Sequence, residues 1–248
     1  MSGKSGRDGG AVLLEGQHSN MLNPWGQPVI GWIPTAQGVG GLHNSRGGYA
    51  MLRVVVQKRL EDVLCPIYDQ PVLIENPGAV VIAQLEDRVG FVQNFRMVGE
   101  RILPNAGADY VRNLEESGLW SELIKSLGRW CWECPRGLVP PDALDGSGEL
   151  LEAFVLRTAK LEALEEAGFK LQDAHIVGRV NANSTFFPHA QYVVHARIVS
   201  RGSATPESLE MIGTSKLFSM KELRTLNERG EFDDGLTLAA LALCGLTL

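Results

Sequence analysis

The chain has 248 residues, 44% hydrophobic and 21% charged, with a mean hydropathy of −0.02, which excludes a mostly disordered protein and suits one large domain with an appendage. A net charge of −6 with no Lys/Arg block speaks against non-specific nucleic-acid binding. Four cysteines are too few for a disulfide framework, and no apolar run reaches the roughly 18 residues of a membrane span.

Residues 1–10 are polar and glycine-rich, without the apolar stretch of a secretory signal, so the expected compartment is the cytoplasm. Twelve of the 28 glycines fall in the first 50 residues, with Pro24, Pro28 and Pro34 among them. Residues 1–49 therefore read as a glycine-rich, extended N-terminal arm. Residues 52–56, 63–67 and 72–74 are short apolar runs, the last two bounded by Pro66 and Pro71; they predict a small β segment over 50–76. Residues 79–85 and 89–95, joined by the polar turn Glu86-Asp87-Arg88, predict a hairpin. Two helical pieces fit 109–127, and a strand fits 130–134 before Pro135. After a loop over 137–148, a long helix fits 149–167, with Gly168 where a C-cap belongs. Strands follow at 176–180 and 192–199, then helices at 219–227, capped by Ser219, and 236–244. This order predicts an α/β (α+β) architecture, a mixed sheet between helices, with the main domain over 77–248.

The chemistry-bearing stretch is Leu161-Glu162-Ala163-Leu164-Glu165-Glu166-Ala167-Gly168-Phe169. Three glutamates at i, i+3 and i+4 share one side of a helix and repel one another. Two readings fit that spacing: a solvated acidic face, or a set of oxygen ligands for a hard divalent cation. Cys131-x-x-Cys134 has no second pair to complete a zinc site and reads as buried strand cysteines.

The stretch resembles the second half of the Nudix box, Gly-x5-Glu-x7-Arg-Glu-U-x-Glu-Glu-x-Gly-U with U apolar; residues 162, 163, 165, 166, 168 and 169 match in register. Glu133-Cys134-Pro135-Arg136-Gly137 resembles the Glu-Leu-Pro-Ala-Gly that opens the box in ADP-ribose pyrophosphatase-like members. Residues 89–96, 218–223 and 231–241 resemble that group's strand and closing helices. The chain also departs from the pattern. Leu161 stands at the box arginine, and from Gly137 to Leu161 there are 24 positions where the pattern has 14. Arg157, one helical turn earlier, is a candidate substitute for the missing charge.

The resemblance implies a Nudix fold and a Mg²⁺- or Mn²⁺-dependent hydrolase that cleaves the diphosphate of a nucleoside diphosphate linked to a sugar, ADP-ribose-like. It implies Glu162 and Glu166 as metal ligands and Glu165 as a ligand or catalytic residue. Glu210 is the positional match for a further catalytic glutamate, with Glu207 second. Arg96 and Arg136 become substrate-binding candidates, because a planar guanidinium bonds two phosphate oxygens at once. The group's habit of pairing implies a homodimer through 50–76 and the arm; the charge balance and the lack of a long apolar run predict no nucleic-acid or membrane partner. The lost arginine leaves a second reading open, a catalytically impaired Nudix-fold module that binds a nucleotide or a protein.

Overall fold

The computed structural model describes residues 11–12, 18–22, 28–34, 50–60, 63–74, 76–96, 116, 128–139, 151–184, 186–187, 190–206 and 210–248. Two compact units emerge. One comprises Met1–Ala79, Gly137–Thr158 and Gly178–Tyr192; the other comprises Val80–Arg136, Ala159–Val177 and Val193–Leu248.

The first unit contains a sheet of strands β1 (Ala11–Val12), β2 (His18–Leu22), β3 (Pro28–Pro34), β4 (Ala50–Leu60) and β5 (Val63–Ile74). Its path is β1-β3-β4-β5, with β2 also on β3. Part of the stretch expected to be an extended arm is strand. Its signal was hidden because each strand is short and lies among glycines, so period 2 never runs long enough to register. The two runs expected at 63–67 and 72–74 form a single strand, with Pro66 opposite Gln57 and Pro71 opposite Arg53. Strand β5 ends the path, and an end strand tolerates prolines, which cannot donate to a ladder on a further strand.

The larger sheet is mixed, as expected, and has seven strands. Its path is β10 (Phe169–Val180), β11 (Gln191–Arg201), β6 (Gly78–Leu85), β7 (Arg88–Arg96) and β12 (Ile212–Ser219). Strand β8 (Arg129–Glu133) also pairs β7, and β9 (Arg136–Leu138) pairs β6. The β6–β7 hairpin is present, but its strands pair only from Leu85↔Arg88 to Ala83↔Gly90. Farther along β7, β8 takes over from Val92↔Glu133 to Arg96↔Arg129. The backbone N–H of Val81 then donates to Pro135 O at 2.9 Å. The chain is thus led from β7 to β6 through residues 133–136, and that crossing carries the site.

Helix α1 (Leu151–Ala167), expected from 149 and with 149–150 outside the described residues, buries Ala159, Ala163 and Ala167. Helices α2 (Met220–Glu228) and α3 (Gly235–Leu243) follow β12. Ser219 caps α2 in a reciprocal box with Glu222, and Asp234 caps α3 by accepting from the Thr237 N–H. Phe91 meets Phe218 and Phe232 edge-on at 5.8 and 5.3 Å in the core of the second unit. The helical pieces expected over 109–127 lie outside the described residues except for Glu116, which is helical. Among the described helices none is long and apolar enough to cross a membrane.

The end of α1 is built on Gly168. Its φ of +69° is the left-handed conformation that glycine adopts freely, and its N–H closes onto Leu164 O at 2.9 Å. Its carbonyl accepts from the Gly202 N–H at 2.8 Å, so a Cβ here would lie 2.2 Å from Gly202 O. Gly168→Ala is expected to lower stability by about 2 kcal/mol through strain and backbone collision. Urea unfolding measures this, and an unchanged midpoint would contradict it.

Candidate functional site

Residues 162, 165 and 166 fall on the last turn and a half of α1, ahead of the Gly168 stop. The structure brings Glu162 and Glu166 together with Glu210, which lies just before β12; one carboxylate oxygen from each falls within 4.8 Å of the others. Glu165 is not part of this group. Its side chain is half-buried, and its backbone carbonyl accepts from the Thr205 N–H at 2.8 Å. Glu207 lies outside the described residues.

The three acids sit in unequal surroundings. Glu210 is exposed, Glu162 is half-buried, and Glu166 is only 2% exposed. Burial is the main force on the Glu166 carboxyl, followed by repulsion from Glu162; Glu210 and Glu133 add to it. The Arg136 backbone N–H, donating to Glu166 Oε2 at 3.0 Å, opposes these effects without cancelling them. The net result is a pKa raised to about 8. A buried acid held this far from its ordinary value is unlike the members of a solvated helix face. The donor set, three carboxylates converging on one point, fits a hard divalent cation.

Beside this cluster lies a buried ion network. Glu133, 1% exposed at the end of β8, accepts from Arg96 on both carboxylate oxygens and from Arg136 Nη2 at 2.7 Å. Arg136 Nη1 donates in turn to both oxygens of Asp234, at 3.2 and 3.0 Å. Burial acts against the Arg136 charge, but the two carboxylates outweigh it and hold the group above its ordinary value. Burial likewise pushes Asp234 up, yet Arg136 and the Thr237 hydrogen bonds leave it below the usual carboxylate range.

The two arginines singled out in the sequence are therefore both paired with acids. Arg96 keeps a side chain 36% exposed, while Arg136 is 19% exposed. The guanidinium of Arg157 lies 4.6 Å over the Phe154 ring. Leu161, at the box-arginine position, is half exposed. Cys131 and Cys134 are free and buried, and burial raises both thiols. Sequence reasoning missed Glu133 and Asp234 as the charges that hold Arg136. One available signal was Asp234 itself, an N-cap residue ahead of the apolar run at 236–244.

Neither family models nor curated proteins yield a match to this chain. Among solved structures it is similar to an ADP compounds hydrolase, at 14% identity over 79% of this chain and 84% of the other, with a TM-score of 0.47. It is similar also to a NUDIX hydrolase from Nitrosomonas europaea, at 14% identity over 68% of this chain and 88% of that one, with a TM-score of 0.42.

Proposed function

We propose that the chain is a metal-dependent pyrophosphohydrolase that cleaves the diphosphate of a nucleoside diphosphate linked to a sugar, ADP-ribose-like. The observation that carries this reading is the convergence of Glu162, Glu166 and Glu210 with Glu166 buried. In this reading those three residues hold Mg²⁺ or Mn²⁺, which when bound neutralises diphosphate oxygens and lowers the pKa of a water.

The protein's own residues do the rest. The helical spacing of Glu162 and Glu166 fixes two carboxylates on one rigid element. The Arg136 N–H orients the second of them. Glu210, the exposed member of the cluster, and Glu165, on the last turns of α1, are the candidates to accept a proton from the attacking water. The partly exposed guanidinium of Arg96 meets the substrate's phosphate, with Arg136 behind it. Attack on phosphorus releases a nucleoside monophosphate and a sugar phosphate. The same reading makes the chain a cytoplasmic enzyme and a homodimer through 50–76 and the arm, which light scattering well above assay concentration would test.

Leu161 in place of the box arginine favours a second reading, in which the fold binds a nucleotide or a protein without turning it over. A screen of diphosphate compounds with Mg²⁺ and Mn²⁺, read as product identity, separates the two. Paired monophosphate products that vanish with chelator support the hydrolase. Saturable binding without products supports the module.

A further inference from the structure

The chain between β8 and β9 is fixed at successive atoms. The Cys134 N–H donates to Thr237 Oγ1 at 3.0 Å, and Pro135 O accepts from Val81 N–H at 2.9 Å. The Arg136 guanidinium is gripped by Asp234 and Glu133. The backbone N–H of the same residue is aimed at Glu166 Oε2 at 3.0 Å. Two of the anchors, Asp234 and Thr237, belong to the first turn of α3. They are locked to each other, because Thr237 N–H donates to Asp234 Oδ2 at 2.9 Å. One carboxylate thus does two jobs: it caps a helix and holds the side chain of the residue whose backbone orients a cluster acid.

We infer that Asp234 is a positioning residue for the cation site, acting through Arg136 to set the orientation of the Glu166 carboxylate. The inference rests on the reading of Glu162, Glu166 and Glu210 as metal ligands. Its physical basis is that outer partners of a ligand restrict its rotation, and that their loss weakens metal affinity without removing a ligand. Arg136, beside the glycine that opens the resembled box, then serves as a strut between α3 and the cluster.

The test separates the two jobs. Asp234→Ser keeps a capping oxygen for Thr237 but is too short to reach the guanidinium; Asp234→Asn keeps the shape and loses the charge. Ser219→Ala removes the cap of α2, a helix end outside this network, and serves as the structural control. Mn²⁺ affinity of the full chain, read by electron paramagnetic resonance without substrate, should fall on the order of tenfold in both Asp234 variants. It should stay at the wild-type value in Ser219→Ala. Hydrolysis at limiting Mn²⁺ should fall in step, and return toward wild type when Mn²⁺ is raised to saturation. Wild-type Mn²⁺ affinity in both Asp234 variants would overturn this inference alone. Failure of the wild type itself to bind Mn²⁺ would overturn it together with the metal reading.

Discussion

Glu166→Gln should abolish Mg²⁺- or Mn²⁺-dependent release of products, by a factor on the order of 10³, while making the metal-free protein more stable near neutral pH. The two effects have one cause. A carboxylate buried among Glu162, Glu210 and Glu133 is costly without a cation, and its pKa of about 8 expresses that cost. The sign follows from linkage. The folded state binds this proton more tightly than an unfolded chain, whose glutamate has the ordinary value of 4.5. The contribution is therefore fully present below the unfolded value and is lost as pH rises toward the folded one, at about 1.4 kcal/mol per unit. Glutamine carries no such proton, yet its carbonyl oxygen still accepts the Arg136 N–H. In chelator, urea unfolding should find wild type and variant near parity at about pH 4 and the variant ahead by a few kcal/mol at about pH 8. Saturating Mn²⁺ should reverse that order. Equal hydrolysis by the two proteins would remove Glu166 from the site.

Cation uptake by the wild type should carry the same signature. Below about pH 8 a metal must displace the Glu166 proton, so affinity should rise about tenfold per pH unit and level off above that value. Calorimetry in buffers of different ionisation heat should register about one proton released per cation in the neutral range. A flat affinity profile would mean that another group, not Glu166, meets the metal.

How much of this was legible in the sequence differs by element. The β6–β7 hairpin, helix α1 with its Gly168 stop, and α2 with its Ser219 cap were readable because each signal is local: a period, a cap, a glycine. The acidic triplet was visible for the same reason, though not its meaning, since the same spacing serves a solvated face. Strand β12 was not anticipated, because Ile212-Gly213-Thr214-Ser215-Lys216 has little apolar alternation; its place is set by pairing with β7, from Ile212↔Asn94 to Ser219↔Arg88. The same pairing brings Glu210, remote in sequence, to the end of α1. Arg136 shows the limit most clearly. Its type and position suited a phosphate, but two acids 3 and 98 residues away, Glu133 and Asp234, hold its side chain. Only the meeting of β8, β9 and α3 reveals that its backbone N–H is the group turned toward the cluster.

The network that holds Arg136 should also dominate the response of the fold to substitution. Among the described residues, Glu133 is the carboxylate shared by both arginines, and it is almost wholly buried. Glu133→Ala would leave Arg136 desolvated with one partner lost and Arg96 without its bidentate acceptor. Breaking a buried pair from one side costs about 3–5 kcal/mol, because the remaining charge keeps its desolvation penalty. The surface pair Arg197–Asp173, with side chains 55% and 60% exposed, offers the internal comparison. Arg197→Ala should cost less than about 1 kcal/mol, since water replaces the lost partner. Urea unfolding of both variants at pH 7, repeated at high salt, should show a several-fold larger loss for Glu133→Ala that salt barely changes and a small loss for Arg197→Ala that salt erases. A double-mutant cycle of Glu133→Ala with Arg136→Met should return a coupling above about 1 kcal/mol, as expected for neighbours in one ion network. If instead Glu133→Ala lost no more than Arg197→Ala, the charges around Arg136 would be spectators of the fold, and a rigid strut behind Glu166 would have no basis.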